Sequence, residues 1–299
     1  MNDVKYINQN INIKKKKKLS AFDIVLLLFF IFISFIMVFP FYNAFIVSIV
    51  PESVYVNNPI LLFPKKLTFE SYKYVVTSNL IWNSYGITIF EVLLGTTCNV
   101  LATIAAGYVL SRKQFFLRSF CMNLIIFTMF FGGGLIPWYR LLISLGFKNN
   151  LAVLILPGLV DTYNLLLARN YFASLPVEFE ESAKLDGAND IVVLFKILIP
   201  IAMPIIATIA LFYAVGHWNS WYTAMLFVTD AKKQPLALML RRIVIDNTGA
   251  IGASPIDRPI FSDGIKMASI FFTMTPIMLA YPRVQKYFVK GIMIGAIKG

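Results

Sequence analysis

Glu181-Ser182-Ala183-Lys184-Leu185-Asp186-Gly187, followed after nine further residues by Ile197-Leu198-Ile199-Pro200, forms an acidic, polar island between two long apolar segments. A charged element lodged between membrane spans has to face water, and it offers a handle to another protein. The stretch reads as a short surface helix, a turn, and then a span. Pro176 suits a first helical turn, where its missing N–H does no harm. Glu178, Glu180 and Glu181 lie near that N-terminus and complement the helix dipole. Gly187 suits a left-handed stop, and Asn189 or Asp190 is expected to cap the next helix. Ser182 and Ala183 are small enough for a partner to approach the backbone. Phe179 and Leu185 supply apolar anchors, and the acids around them favour a basic rim on that partner.

The composition around the island is that of a membrane protein. Of 299 residues, 58% are hydrophobic and 14% charged, against about 25% charged in a soluble domain. The apolar runs are continuous rather than alternating, which excludes a transmembrane β-barrel and leaves an all-α polytopic fold. The net charge of +12 does not indicate nucleic acid. It gathers in Lys14–Lys18, directly before the first apolar run, and in Arg283, Lys286, Lys290 and Lys298 at the end, which is the positive-inside pattern. Cys98 and Cys121 fall in apolar segments, with one His in the chain and no CxxC. They read as small core residues, and no metal site is expected. The apolar run Ala21–Phe39 is too long for a signal peptide and continues past Pro40 to Val50, so an uncleaved anchor is expected.

Six stretches are long enough to span: Ala21–Val50, Tyr85–Leu110, Phe120–Leu142, Leu151–Phe172, Ile197–Val228 and Gly264–Tyr281. The chain then divides into a basic N-terminus (1–20), a six-helix membrane domain (21–281) and a C-terminal tail (282–299). Lys14–Lys18 place the N-terminus in the cytoplasm. The cytoplasmic side then holds the loop Ser111–Ser119, with Arg112, Lys113 and Arg118, the island region 173–196, and the tail. The outer side holds Pro51–Ser84, a turn near Lys148, and the loop Thr229–Asp263. Pro40, Pro137, Pro157, Pro204 and Pro276 interrupt spans, and each can kink a helix.

The island's spacing resembles the EAA loop of bacterial ABC importer permeases: Glu-Ser-Ala, three residues, Gly, nine residues, Ile-x-Ile-Pro. Ser182 stands where the family has Ala, and Ile199 where it has Leu. Further similarity to carbohydrate-importer permeases runs through Asn83-Ser84, Gly95-Thr96, Gly107-Tyr108-Val109-Leu110-Ser111-Arg112 and Gly216-His217-Trp218-Asn219, to Gln285-Lys286-Tyr287-Phe288-Val289-Lys290-Gly291. The ending Gly295-Ala296-Ile297-Lys298-Gly299 is similar to the tail of the maltose-permease second subunit. Phe131-Gly132-Gly133-Gly134-Leu135-Ile136-Pro137 and Leu145-Gly146-Phe147 resemble a branch that handles complex oligosaccharides or polysaccharide fragments.

The resemblance implies a type I ABC importer permease in the bacterial cytoplasmic membrane, with both termini cytoplasmic. It implies a homologous partner permease, two ATPase subunits that carry ATP and Mg, an extracytoplasmic substrate-binding protein, and a carbohydrate substrate. The chain itself binds no cofactor and is not an enzyme on this reading. Coupling to the ATPase would fall on Glu181, Ser182, Ala183, Leu185, Asp186 and Gly187. The tail residues Gly295, Lys298 and Gly299 would reach the ATPase interface, and the Thr229–Asp263 loop the binding protein.

The residues themselves agree that the motor lies elsewhere. Gly132-Gly133-Gly134 lacks the Gly-Lys-Ser/Thr ending that cradles phosphate, so the glycines are expected to permit close helix packing or flexibility. Trp218, Asn219 and Trp221 are candidates for a sugar path and equally for packing groups. Glu91, Asp161 and His217 lie in apolar spans, where charges face the bundle interior or a wet cavity, and hydrogen bonding between helices is the default for His217. An ion-coupled secondary transporter is the alternative; it would need a cluster of intramembrane ionisable groups. An intramembrane enzyme would need a nucleophile–base or metal constellation, for which one His and two scattered Cys give little.

Overall fold

The computed structural model describes residues 20–58, 62–64, 66–245 and 261–296, which form helices and no strand. Helix α1, Ala21–Ser48, opens with a capping box in which the Ser20 N–H donates to Asp23 Oδ2 at 2.9 Å. Its 28 residues reach about 42 Å at 1.5 Å per residue, more than a bilayer core of about 30 Å. Only Ile46, Val47 and Ser48 at its end are buried against the rest of the chain. Its other Leu, Ile and Phe side chains are exposed except for the half-buried Ile33 and Phe39, as a lipid-facing helix requires. Two short helices follow, α2 (Glu52–Asn57) and α3 (Glu70–Thr77).

Helix α4, Asn79–Ser111, runs 33 residues and contains one π-helical turn at Glu91–Gly95. The third expected span, Phe120–Leu142, is not a single helix. Arg118–Phe130 (α5) and Leu135–Ser144 (α6) meet at 117°. The bend falls on the glycines and not on Pro137, which sits harmlessly in the first turn of α6. Gly134 has φ +83°, and a Cβ at Gly132 or Gly133 would meet nothing within 4 Å. The glycines therefore make a corner, and the expected close helix packing is absent there. The fourth expected span is also broken: the short turns of Leu151–Gly158 lead at 46° into α7, Thr162–Ser174.

Helix α8, Glu178–Leu185, is the surface helix of the island, and α9, Asp190–Trp218, is the span that follows it. The fifth expected span, Ile197–Val228, thus ends ten residues early, and Tyr222–Phe227 forms a separate helix, α10. The stretch expected as the loop Thr229–Asp263 holds helix α11, Leu236–Ile245, with Leu236, Leu238, Met239 and Ile243 buried. The sequence Leu-Ala-Leu-Met-Leu-Arg-Arg-Ile-Val-Ile has a helical apolar stripe, and Arg241 and Arg242 leave it. The last helix, α12, is Ser262–Ala296. It contains the sixth expected span and continues without a break through the expected start of the tail at 282. Among the described residues, three helices are long and apolar enough to cross a membrane, or five if each bent pair is one span.

The core forms where α4 packs on α7 and α9. Gly107 permits the approach of α7, because a Cβ there would lie 2.9 Å from the Ala168 Cβ. Small residues at such crossings let membrane helices gain dispersion contacts. Ile104, Tyr108, Phe172, Val193, Leu198 and Ile209 pack around this crossing, and Ala183 from α8 joins them. The island is therefore seated on the main helix crossing of the molecule.

Candidate functional site

The corner between α8 and α9 is built by its own backbone. Gly187, at φ +83°, ends α8 in a Schellman turn. Its N–H donates to the Lys184 carbonyl at 3.1 Å, and the Ala188 N–H donates to the Ala183 carbonyl at 2.9 Å. Asn189 caps α9, its Oδ1 accepting from the Val192 N–H at 2.9 Å. Lys184 Nζ and Asp190 Oδ1 lie 2.8 Å apart across the turn. This hydrogen bond raises the Lys184 pKa; at this exposure such a pair stabilises only weakly.

Two residues of the island turn inward. Ala183 is buried in the helix crossing, so of the two small residues Ser182 alone is open to a partner. Glu180, expected from sequence to complement the helix dipole, is buried and forms an ion pair with Arg112 just past the end of α4. Burial pushes its carboxyl up, and Arg112 pulls it back only in part. Arg112 also stacks over the Tyr108 ring, 4.4 Å from the centroid. Glu181, Ser182, Leu185, Asp186 and Gly187 remain exposed, and Leu185 is 88% exposed. An isobutyl group so presented, on a corner held rigid by caps, has the form of a plug for a partner's pocket.

A second polar constellation lies inside the bundle. Glu91 is 1% exposed, and its Oε1 lies 3.2 Å from His217 Nδ1. His217 Nε2 is 3.0 Å from Asn99 Oδ1. The Asn99 amide orientation is fixed by its Nδ2, which donates to the carbonyls of Gly158 (2.7 Å) and Leu159 (3.0 Å). Nε2 therefore carries a proton and donates to Asn99, and a second proton lies between Nδ1 and Glu91. The carbonyls freed at the break before α7 thus find their donor inside the membrane domain. Gly95 makes room for the ring: a Cβ there would lie 2.6 Å from Nε2. Asp161 is also engaged. Its Oδ1 accepts from the Asn164 N–H at 2.9 Å, and its own N–H donates to the Tyr213 hydroxyl, which is 2.7 Å from Thr103 Oγ1. The expected helix-to-helix role of His217 is what the structure shows.

Beside this network opens a cavity of about 580 Å³ between α7 and α9. Its lining includes Tyr163, Asn164, Phe212, Gly216, His217 and Ser220. None of the three residues expected on a sugar path contributes. Trp218 packs into the cluster of Tyr85, Met239 and Phe272, Asn219 Nδ2 donates to the Val215 carbonyl, and Trp221 lies under the Arg241 guanidinium at 4.6 Å. The cavity is lined instead by residues such as Tyr163 and Asn164, which sequence reasoning did not single out and which lie in the first turn of α7, just after its Asp161 cap. Of the tail residues, Gly295 falls in α12, and Lys298 and Gly299 lie outside the described residues.

Residues 98–294 match the family described as "Binding-protein-dependent transport system inner membrane component". The chain is 36% identical over 281 residues to the polygalacturonan/rhamnogalacturonan transport system permease protein YtcP of Bacillus subtilis (strain 168), covering 93% of this chain and 98% of that one. It is 38% identical over 281 residues to protein LplC of the same organism, covering 93% and 95%. The arabinooligosaccharides transport system permease protein AraQ of Halalkalibacterium halodurans is 27% identical over 292 residues, covering 95% and 100%. Among solved structures, a chain of a bacterial ABC transporter involved in the import of the acidic polysaccharide alginate superposes with a TM-score of 0.83 at 30% identity. The match covers 89% of this chain and 96% of that one.

Proposed function

The chain belongs to the binding-protein-dependent transport system inner membrane component family, and from that premise we propose that it forms half of the translocation path of an importer for acidic oligosaccharides. The substrates named for two of its relatives, polygalacturonan/rhamnogalacturonan and alginate, support the acidic class. The chain is a transport subunit and not an enzyme. A homologous permease completes the path, a binding protein delivers the saccharide from outside, and two ATPase subunits bind and hydrolyse ATP with Mg. Both termini lie in the cytoplasm.

The observation that carries this reading is the exposed Leu185 on a corner rigidly joined to two spans, α9 through the chain and α4 through Glu180–Arg112. Seated in an ATPase cleft, the corner would turn closure of the ATPases into a tilt of α4 and α9. Nucleotide state then biases an inward-open against an outward-open arrangement, which requires contacts that differ between the two. The tail residues Gly295, Lys298 and Gly299 would add a second contact. The ion-coupled alternative is set aside by family membership, and its ionisable groups are already engaged: Glu91 with His217, Asp161 as a helix cap.

The test is a pair of substitutions at one position. Gly187→Ala introduces only left-handed strain, about 1–2 kcal/mol, because a Cβ there meets nothing in this chain within 4 Å. Gly187→Trp adds bulk on the proposed docking face. Transport measured in cells should survive the first and fail with the second, while both proteins reach the membrane. Normal transport by Gly187→Trp would show that this corner is not the docking element.

A further inference from the structure

We propose that neighbouring ends of α5 and α7 form a binding site for an anionic phospholipid of the inner leaflet, with Arg118 and Arg169 on the headgroup phosphate and the exposed face of α5 along the acyl chains. The helix crossing brings the two arginines together. Helices α5 and α7 pack on each other, and both pack on α4. Gly107 of α4 lets the backbone of Arg169 come close, since a Cβ there would lie 3.2 Å from the Arg169 N. Arg118 opens α5 and stands near enough to Arg169 for their charges to repel. No ion pair among the described residues engages either guanidinium. Glu180, the acid that reaches this end of α4, is taken by Arg112. Arg169 Nη1 donates to the neutral Asn170 Oδ1 at 2.8 Å, which leaves its charge uncompensated. Arg118 also opposes the dipole of its own helix, whose first turn holds no acid. Two like charges beside lipid, with no counter-charge, are an arrangement that a bound anion relieves.

The surroundings favour a lipid over a free anion. Helix α5 has no buried side chain. Phe120, Leu124 and Phe127 are exposed at helical spacing and continue from Arg118 as one apolar stripe. In the loop before Arg118, Phe116 is 87% exposed, and Lys113 is exposed beside it. Aromatic rings flanked by basic groups are the pattern of a membrane interface. A basic cluster next to a span attracts the anionic lipids of the cytoplasmic leaflet. Guanidinium groups bind phosphate oxygens through paired N–H donors, so two of them can hold one phosphate. Arg169 belongs to the helix that leads into α8, and the site lies at the end of α4 that meets Glu180. A lipid held here would brace the frame on which the α8–α9 corner sits. Its binding does not depend on which solute the transporter carries.

The experiment takes the whole purified transporter, with its partner permease and ATPases, and measures binding of phosphatidylglycerol and of phosphatidylcholine by native mass spectrometry. Phosphatidylglycerol should bind about thirtyfold more tightly, the worth of two arginines at a membrane surface. Arg118→Gln and Arg169→Gln should each weaken it about fivefold, and the double variant should erase the preference. Arg118→Lys should keep most of it, and Lys148→Gln should change nothing. Equal affinity for the two lipids, a preference that survives the double variant, or an equal loss in Lys148→Gln overturns the site. Binding abolished by millimolar inorganic phosphate would mean a headgroup held without its acyl chains, and overturns the lipid. If the double variant does not assemble, a photoactivatable phosphatidylglycerol in phosphatidylcholine vesicles decides on the wild type. Label on residues 113–127 of this chain supports the site, and label found only elsewhere overturns it. A Ser119→Cys that cross-links to the partner permease would give this face to a protein and overturn it too.

Discussion

Gly95 has no side chain because His217 occupies the place a Cβ would take, with Nε2 only 2.6 Å away. The consequence reaches past that contact. His217 holds Asn99, and Asn99 holds the two carbonyls at the break before α7. Gly95→Ala should push the imidazole off Asn99 and leave a buried acceptor unpaired, a loss of about 1–3 kcal/mol. The purified transporter would then unfold at a lower temperature, with the same sign as His217→Leu; a midpoint equal to wild type would contradict the network. The sequence marks the participants, since Glu91 and His217 stand out in apolar runs. Their pairing is not legible there, because they lie 126 positions apart and only the fold joins them. The stop at Gly187 and the cap at Asn189 are legible, because both are decided within a few residues.

Helix α8 is tied to the membrane domain at both ends, through its Schellman turn into α9 and through Glu180 to Arg112, the residue that follows α4. Removing one partner of a buried pair leaves a charge without compensation, at about 3–5 kcal/mol. Arg112→Met should therefore weaken the assembled complex, and Arg112→Met with Glu180→Leu should recover most of the loss. A thermal melt of the two variants checks this, and a double variant no more stable than the single would remove the ion pair from the account. The apolar spans were legible as elements because about twenty apolar residues in sequence have one physical solution in lipid. Their bends were less so. A proline is the familiar breaker, yet the 117° corner falls on Gly132–Gly134, where conformational freedom and not a missing donor does the work. Helix α11 was hidden because its arginines lower the mean hydropathy of a segment whose other face is buried.

Across the whole molecule, the corner between α8 and α9 and helix α11 lie at opposite ends of the long helices α4 and α9. Leu236 N–H donates to Thr88 Oγ1 in the first half of α4, and Arg112 meets Glu180 at its other end. If the corner is cytoplasmic, a membrane-impermeant maleimide applied to intact cells should label Lys232→Cys and not Ser182→Cys, in a background free of Cys98 and Cys121. Labelling of Ser182→Cys from outside would invert the topology. Helix α1 is exposed along most of its length and packs against the last helix near its own end, where Phe45 meets Phe271. The central claim is that this chain is a gate moved by a motor it does not contain. The measurement that bears on it most directly is accumulation of oligogalacturonate in liposomes holding either this chain with its partner permease or the same pair with the ATPases and ATP. The account predicts uptake against a gradient only in the second case; uptake by the permeases alone, driven by a proton or sodium gradient, would contradict it.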